Sequence, residues 1–274
     1  MSSQRTNFLI YLSLWVISAI FSLPLVMMIS GSLKSTAELK SDPYQIIPTS
    51  AQWSNYPDAL ASMPFVQYLI NTLVLCAGTV VGTTLSCAVI AYGLSRVKWR
   101  GRSWVFATVV GTMLLPWHVT MIPRFVLISE LGLYNSVWAI IAPTLLGDAF
   151  FIFLLRQFFL SIPEEIFEAA RVDGLSHWGI FWWILIPLSR PALATVALFQ
   201  FVQTWNDFGG PLLYLNDPQK FPLAYGLERF VSSYSGQPNL LLAAAVLFTI
   251  PIIILFFLTQ RIFIEGISTT GVKG

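Results

Sequence analysis

FLIYLSLWVISAIFSLPLVMMI, residues Phe8 to Ile29, is an apolar run with no charged side chain in it. A helix needs about 20 such residues to cross about 30 Å of hydrocarbon. The run is longer than the core of a signal peptide and is not followed by a small-x-small cleavage site and a soluble sequence, so it reads as a retained first membrane helix. Working outward, further apolar runs separated by polar or Pro/Gly breaks give six spans in all, at about 8–30, 68–95, 103–123, 136–156, 188–210 and 239–260. The expected fold is all-α: a polytopic membrane protein whose single transmembrane domain covers residues 1–274, with the loop 157–187 as its longest cytoplasmic connection.

Composition agrees. Of 274 residues 56% are hydrophobic and 10% charged, against roughly a quarter charged in a soluble domain. The formal charge of +2 gives no reason to expect nucleic acid. Cys76 and Cys87 fall in one helix about 16 Å apart at 1.5 Å per residue, too far to bridge and without metal-ligand company, so both read as packing or lipid-facing residues.

With six spans both termini share one side. Arg5, Arg96, Lys98, Arg100, Arg102, Arg156, Arg171, Arg190, Arg261 and Lys273 then lie on one face, against Lys34, Lys40, Arg124, Lys220 and Arg229 on the other. Short basic loops resist translocation, which makes the first face, and both termini, cytoplasmic. The cluster Arg96-Val97-Lys98-Trp99-Arg100-Gly101-Arg102 reads most simply as a cytoplasmic stop between helices two and three, with a lipid-phosphate site as the alternative. On the outer face, 33–67 and 211–238 are proline-broken segments long enough for short structured pieces, and 124–135 reads as an interfacial helix.

The cytoplasmic loop 157–187 has internal order. Ser161-Ile162-Pro163-Glu164 has the spacing of a capping box. A helix should run from it to about Val172, with Asp173 and Gly174 forming a left-handed turn and a second helix running from about Ser176 to Pro187. The product is a helix-turn-helix elbow. Ala169 and Ala170 would let another surface come close to the backbone, and Glu164, Glu165, Glu168 and Arg171 give the elbow a charged face.

Glu168-Ala169-Ala170, three residues, Gly174, nine residues and Ile184-Leu185-Ile186-Pro187 resemble the signature loop of bacterial ABC importer permeases, with Ile186 in place of the usual leucine. Ser32-Leu33-Lys34, Asn71, Ala91-Tyr92 through Arg102, Trp205-Asn206-Asp207 and the tail Gly266 to Gly274 are similar to carbohydrate-importer permeases of the maltose-permease type. The resemblance implies the type I importer permease fold in a bacterial inner membrane. It also implies two ATP-binding subunits at the loop, a second related permease subunit, and an external or periplasmic solute-binding protein. Coupling to the ATPase would fall on Glu164, Glu168, Ala169, Ala170, Arg171, Asp173 and Gly174. The cargo would be a di- or oligosaccharide or amino sugar, with a glycerol-phosphate-type importer as the alternative.

No catalytic or metal site stands out in this chain. The nearest approach to a phosphate-binding loop, Gly31-Ser32-Leu33-Lys34-Ser35, lacks the second glycine, so ATP and Mg are expected in the partner subunit and no cofactor in this one. Two histidines leave little material for a metal-dependent membrane enzyme, and an ion-coupled secondary transporter should show inverted repeats that are not evident.

Ionisable groups at membrane depth are expensive and therefore functional candidates. Trp205, Asn206 and Asp207, with Gln200 and Gln203 on the same helix, could line a sugar path. Alternatively, Asp207 caps or pairs near the outer end of span five and holds the permease subunits together. His118, as a pathway group or a hydrogen-bonded helix-end residue, and Asp148, with no partner evident, complete the candidates.

Overall fold

The computed structural model describes the backbone of residues 2–233 and 236–270 and the side chains of residues 7–230 and 236–260. Lys273 and the end of the Gly266–Gly274 tail lie outside the described residues. Fourteen helices are described: α1 (Ser2–Ser32), α2 (Thr36–Ser41), α3 (Asn55–Ala61), α4 (Phe65–Ser95), α5 (Arg102–Thr112), α6 (Trp117–Glu130), α7 (Trp138–Thr144), α8 (Ala149–Ser161), α9 (Glu164–Val172), α10 (His177–Leu188), α11 (Arg190–Trp205), α12 (Gly209–Tyr214), α13 (Leu223–Ser233) and α14 (Pro238–Thr270). Four stretches are long and apolar enough to cross a membrane as they stand: Asn7–Ser32, Phe65–Ser95, Trp138–Ser161 and Pro238–Gln260. Two bent pairs, α5 with α6 and α10 with α11, bring the number up to six if each pair is one span.

The bends correct the expected spans. A straight third helix over 103–123 does not form, because α5 and α6 meet at 103°. Pro116 has no N–H and holds an extended backbone, φ −65° and ψ 143°, so the chain leaves one helix and starts the next at Trp117. The interfacial helix expected from Arg124 therefore begins seven positions earlier and ends at Glu130. Span four is interrupted at 145–148, where Gly147 takes φ +88°, and continues to Ser161. Span five begins after a 78° bend at Ser189 and stops at Trp205, short of the expected 210.

The chain divides into two compact units, Met1–Phe65 with Gly226–Ile253, and Val66–Tyr225 with Ile254–Gly274. In the first, α1 is exposed from Asn7 to Val26. A helix apolar on every side has lipid or another helix as its natural surroundings. Its far end is tied down by buried polar groups. The Asn55 Nδ2 donates to Ser32 O at 2.8 Å and Lys34 O at 2.9 Å, Asn239 Nδ2 donates to Asn55 Oδ1 at 2.9 Å, and Thr36 donates to Asn239 Oδ1 at 2.6 Å. Lys34, fully buried, donates to Asp42 O at 3.0 Å.

In the second unit α4 is the central helix. Its C-terminal half packs with α8, α9, α10 and α11 around Phe151, Leu155, Phe159, Phe167, Phe181 and Val196. Higher up, Gly78 and Gly82 bring α4 against α7. A Cβ at Gly82 would stand 2.6 Å from Thr144 Oγ1 and 3.1 Å from Leu145 Cδ2. Small residues four apart allow this approach where lipid supplies no hydrophobic drive for helices to associate. Cys87 is buried in the same seam, accepting from Asp148 N at 3.2 Å, and is a packing residue rather than a lipid-facing one. Gly82→Leu should force the two helices apart at a cost of about 1–3 kcal/mol, read as a lowered unfolding midpoint of the detergent-solubilised chain, whereas Val81→Leu, on the exposed side of α4, should leave it unchanged.

Candidate functional site: an exposed elbow and a polar cavity

The elbow forms from α9 and α10. The second helix is continuous from His177 to Leu188, with a wider π turn over Ile180–Leu185. Between them, Leu175 N donates to Ala170 O at 3.0 Å and Gly174 N to Arg171 O at 3.1 Å. This is the six-to-one and five-to-two pairing of a Schellman turn, and it requires Gly174 at φ +83°. Ser176 caps α10 by accepting from Gly179 N at 3.2 Å.

Three expectations are corrected here. Ser161 closes α8 by donating to Phe158 O, and α9 starts at Glu164 behind Pro163, so no capping box forms. Ala170 is buried with Phe167 on the inner face of α9, so its small size serves packing within the chain, while Ala169 is exposed. Glu164 and Arg171 pair with each other at 2.9 Å. The outward charges of the elbow outside this pair are Glu165, Glu168 and Asp173, beside Val172, which is 87% exposed.

Arg96 holds the elbow in place. It is 8% exposed, and its Nε donates to Phe159 O at 3.0 Å. One terminal nitrogen also donates to Phe159 O and Ile162 O, and the other meets Glu164 Oε2 at 2.5 Å. The guanidinium lies over the Phe167 ring, 4.4 Å from its centroid. On the other arm, Tyr92 donates to His177 O at 3.2 Å and packs against Phe181 at 5.4 Å between centroids. Hydrogen bonds from Arg171 first, and then from Arg96, hold the Glu164 carboxyl below the ordinary carboxylate range. The last turn of α4 thus grips both arms of the elbow. The sequence reading passed over Arg96 as one of a basic cluster, and no signal in the sequence separated it from its neighbours.

The second feature is a cavity of about 350 Å³. Thr79 and Thr83 of α4, Trp117 and Arg124 of α6, Thr144 of α7, Asp148, Gln200, Gln203 and Thr204 of α11, Asp207, and Gly210 and Tyr214 of α12 line it. Gln200 is buried and fixed, accepting from Thr83 at 3.1 Å and donating to Thr204 at 2.9 Å, and Thr204 pairs with Thr79 at 2.8 Å. Gln203 makes no hydrogen bond among the described residues. Asp148 accepts from Phe150 N at 2.9 Å and Phe151 N at 3.2 Å, capping α8, and Asp207 accepts from Gly210 N at 3.0 Å at the start of α12.

Of the expected path residues, Gln200, Gln203 and Asp207 meet in this cavity and two do not. Trp205 is completely buried, stacked on Phe201 at 5.5 Å, and presents no face to a ligand. Asn206 is exposed, its amide turned back to Val202 O at 2.8 Å. The aromatic groups at the cavity are Tyr214 and Trp117, the latter brought there by the Pro116 break. His118 is exposed with its ring edge-on to Trp117 and makes no hydrogen bond among the described residues.

Removing the Arg96 fork leaves buried carbonyls without donors, at a cost of about 1–3 kcal/mol. Arg96→Ala should expose the 157–176 segment to limited proteolysis, and Arg96→Lys should restore only part of the protection, since one ammonium cannot serve Phe159, Ile162 and Glu164 together.

A family model described as "Binding-protein-dependent transport system inner membrane component" matches residues 84–269. The polygalacturonan/rhamnogalacturonan transport system permease protein YtcP of Bacillus subtilis is 34% identical over 290 residues, covering 100% of both chains. The arabinooligosaccharides transport system permease protein AraQ of the same organism is 32% identical, covering 100% of this chain and 99% of its own. Among solved structures, a chain of a bacterial ABC transporter involved in the import of the acidic polysaccharide alginate superposes with a TM-score of 0.80 at 27% identity, covering 95% of this chain and 97% of that one. With its apolar spans and this match to an importer permease fold, the chain belongs to the family of inner-membrane components of binding-protein-dependent transport systems.

Proposed function

We propose that this chain forms, with a second related permease subunit, the translocation path of an ATP-driven importer for a di- or oligosaccharide, amino sugars included, delivered by an external binding protein. The observation that carries the reading is the pairing of an exposed, rigid elbow with a polar cavity through one continuous helix. From Arg96, at the elbow, to Thr79, at the cavity, is about 25 Å along α4 at 1.5 Å per residue. ATP-binding subunits dock on Glu165, Glu168, Ala169 and Asp173 from the cytoplasm, and in this reading both termini lie on the same side. They hold ATP and Mg, and this chain is the non-catalytic partner. Closure of the ATPase pair moves the elbow as a body, Arg96 and Tyr92 carry the motion into α4, and α4 alters the cavity wall.

The carbohydrate assignment draws support from the names of the relatives and from the lining of the cavity, in which amides, hydroxyls and Trp117 suit a polyol. Two carboxylates, Asp148 and Asp207, against one guanidinium, Arg124, favour a neutral or cationic sugar over a glycerol phosphate.

Two experiments on the reconstituted importer test the reading. A Cβ at Gly174 meets nothing within 4 Å, so the cost of a side chain there is conformational, about 1–2 kcal/mol for a left-handed residue. Gly174→Val should abolish substrate-stimulated ATP hydrolysis, while Gly174→Asn, which tolerates this backbone, should keep much of it. Unchanged stimulation in the valine variant would sink the coupling assignment. Gln203→Ala should weaken sugar uptake several-fold with the complex intact, whereas Trp205→Ala should cost about 3–5 kcal/mol of stability and lower the yield of assembled complex.

A further inference from the structure

The turn between α4 and α5 holds a second cleft, of about 380 Å³, lined by Lys98, Trp99, Gly101, Arg102, Ser103 and Trp104. Its charges are divided. Arg102 is used within the chain, donating to Ser95 O at 3.1 Å and Val97 O at 3.3 Å. Arg96 is used by the elbow. Lys98 and Arg100 are exposed and have neither an ion pair nor a hydrogen bond among the described residues. The first turn of α5 carries no carboxylate, and the nearby acid Glu164 is already taken by Arg96 and Arg171. The turn therefore presents two uncompensated cations.

Its position says what they face. Helix α4 is 31 residues long, passes as a membrane span by length and hydropathy, and ends at Ser95, so the turn that follows it falls at the end of a span, where headgroups are expected. Trp99 and Trp104, 43% and 81% exposed, flank the cleft, as amphipathic rings do at that depth. The Trp99 indole N–H is fixed on Gly93 O at 2.9 Å, which holds its ring as one wall. At the start of α5, Trp104 and Val105 are both exposed and add apolar surface at the edge of the cleft.

We propose that this cleft binds the phosphate of an anionic phospholipid, with Lys98 in the cleft and the exposed Arg100 of the same turn meeting the headgroup, and Trp99 and Trp104 bracketing the glycerol and upper acyl region. Free phosphate offers the same charge but has nothing to place against the two rings. A bound lipid would sit two residues from Arg96, at the end of the helix that holds the elbow, so membrane composition would bear on the part of the protein that an ATPase engages.

The test uses the full importer complex, purified and exchanged into nanodiscs of phosphatidylcholine with phosphatidylglycerol, and reads phosphatidylglycerol retained on the complex by native mass spectrometry. Two solvated cations near an anionic surface each contribute about a factor of five in retention. Lys98→Gln with Arg100→Gln should therefore lower retention about 25-fold. Arg190→Gln, an exposed basic residue away from the cleft, should not. Trp104→Ala should lower retention with every charge in place. Equal loss in the Arg190 variant would mean diffuse attraction and overturn the site. Full displacement of the lipid by inorganic phosphate would make it a simple anion site and overturn the lipid assignment, and unchanged retention in the double variant would overturn both.

Discussion

Hydrocarbon offers no hydrogen bonds, so every backbone N–H and C=O at membrane depth must find its partner inside the protein. This one constraint explains both where the helices break and where the polar side chains stand. The interruptions at 113–116, 145–148 and 206–208 all border the cavity lined by Thr83, Gln200 and Gln203. At two of them a carboxylate serves the freed backbone: Asp148 accepts from Phe150 and Phe151, and Asp207 from Gly210. The groups that composition marks as costly are thus the ones that make irregular backbone tolerable, and they leave a polar chamber as the result. Asp207 accepts from Gly210 N and also lines the cavity, so its capping role does not remove it from the cavity wall.

The elbow obeys the same accounting outside the membrane. Helix α9 is short, and a helix of nine residues has little stability of its own. Its shape comes from its surroundings: the Schellman turn at Gly174, Phe167 and Ala170 pressed into the core, and Arg96 spanning the end of α8 and the start of α9. Fastened to α4, which continues to the cavity wall, the elbow is held more firmly than the hydrogen bonds of α9 alone could hold it.

Much of this was legible in the sequence, and what was missed shares a cause. Apolar runs located the spans because length and hydropathy are local properties, and the left-handed turn at Gly174 was readable because one residue determines it. The break at Pro116 was underread, since a continuous apolar run says nothing about direction and proline sits inside helices elsewhere in this chain, at Pro24, Pro123 and Pro251. Trp205 was assigned to the path because aromatic character was visible while orientation was not. On a helix, one position of rotation separates a residue facing the cavity, Thr204, from one sealed in the core. Arg96 was hidden for the same reason, since its acceptors are backbone carbonyls some sixty residues away, and carbonyls leave no mark in a sequence.

The C-terminal end of α4 shows how far such backbone needs account for charge. A helix leaves its last four carbonyls without intrahelical donors. Here Tyr92 O receives Arg96 N at 2.9 Å, Gly93 O the Trp99 indole at 2.9 Å, Leu94 O the Arg156 Nε at 3.1 Å, and Ser95 O an Arg102 terminal nitrogen at 3.1 Å. Arg102 and Arg156 each supply one of these donors, adding positive charge where the helix dipole is negative, and Arg156 also lies 3.9 Å over the Phe106 ring. A count of basic residues treats this cluster as a uniform marker of the cytoplasmic side. Geometry separates it into arginines whose planar, multiply donating heads finish helices, and Lys98 and Arg100, which finish nothing and remain available to the membrane.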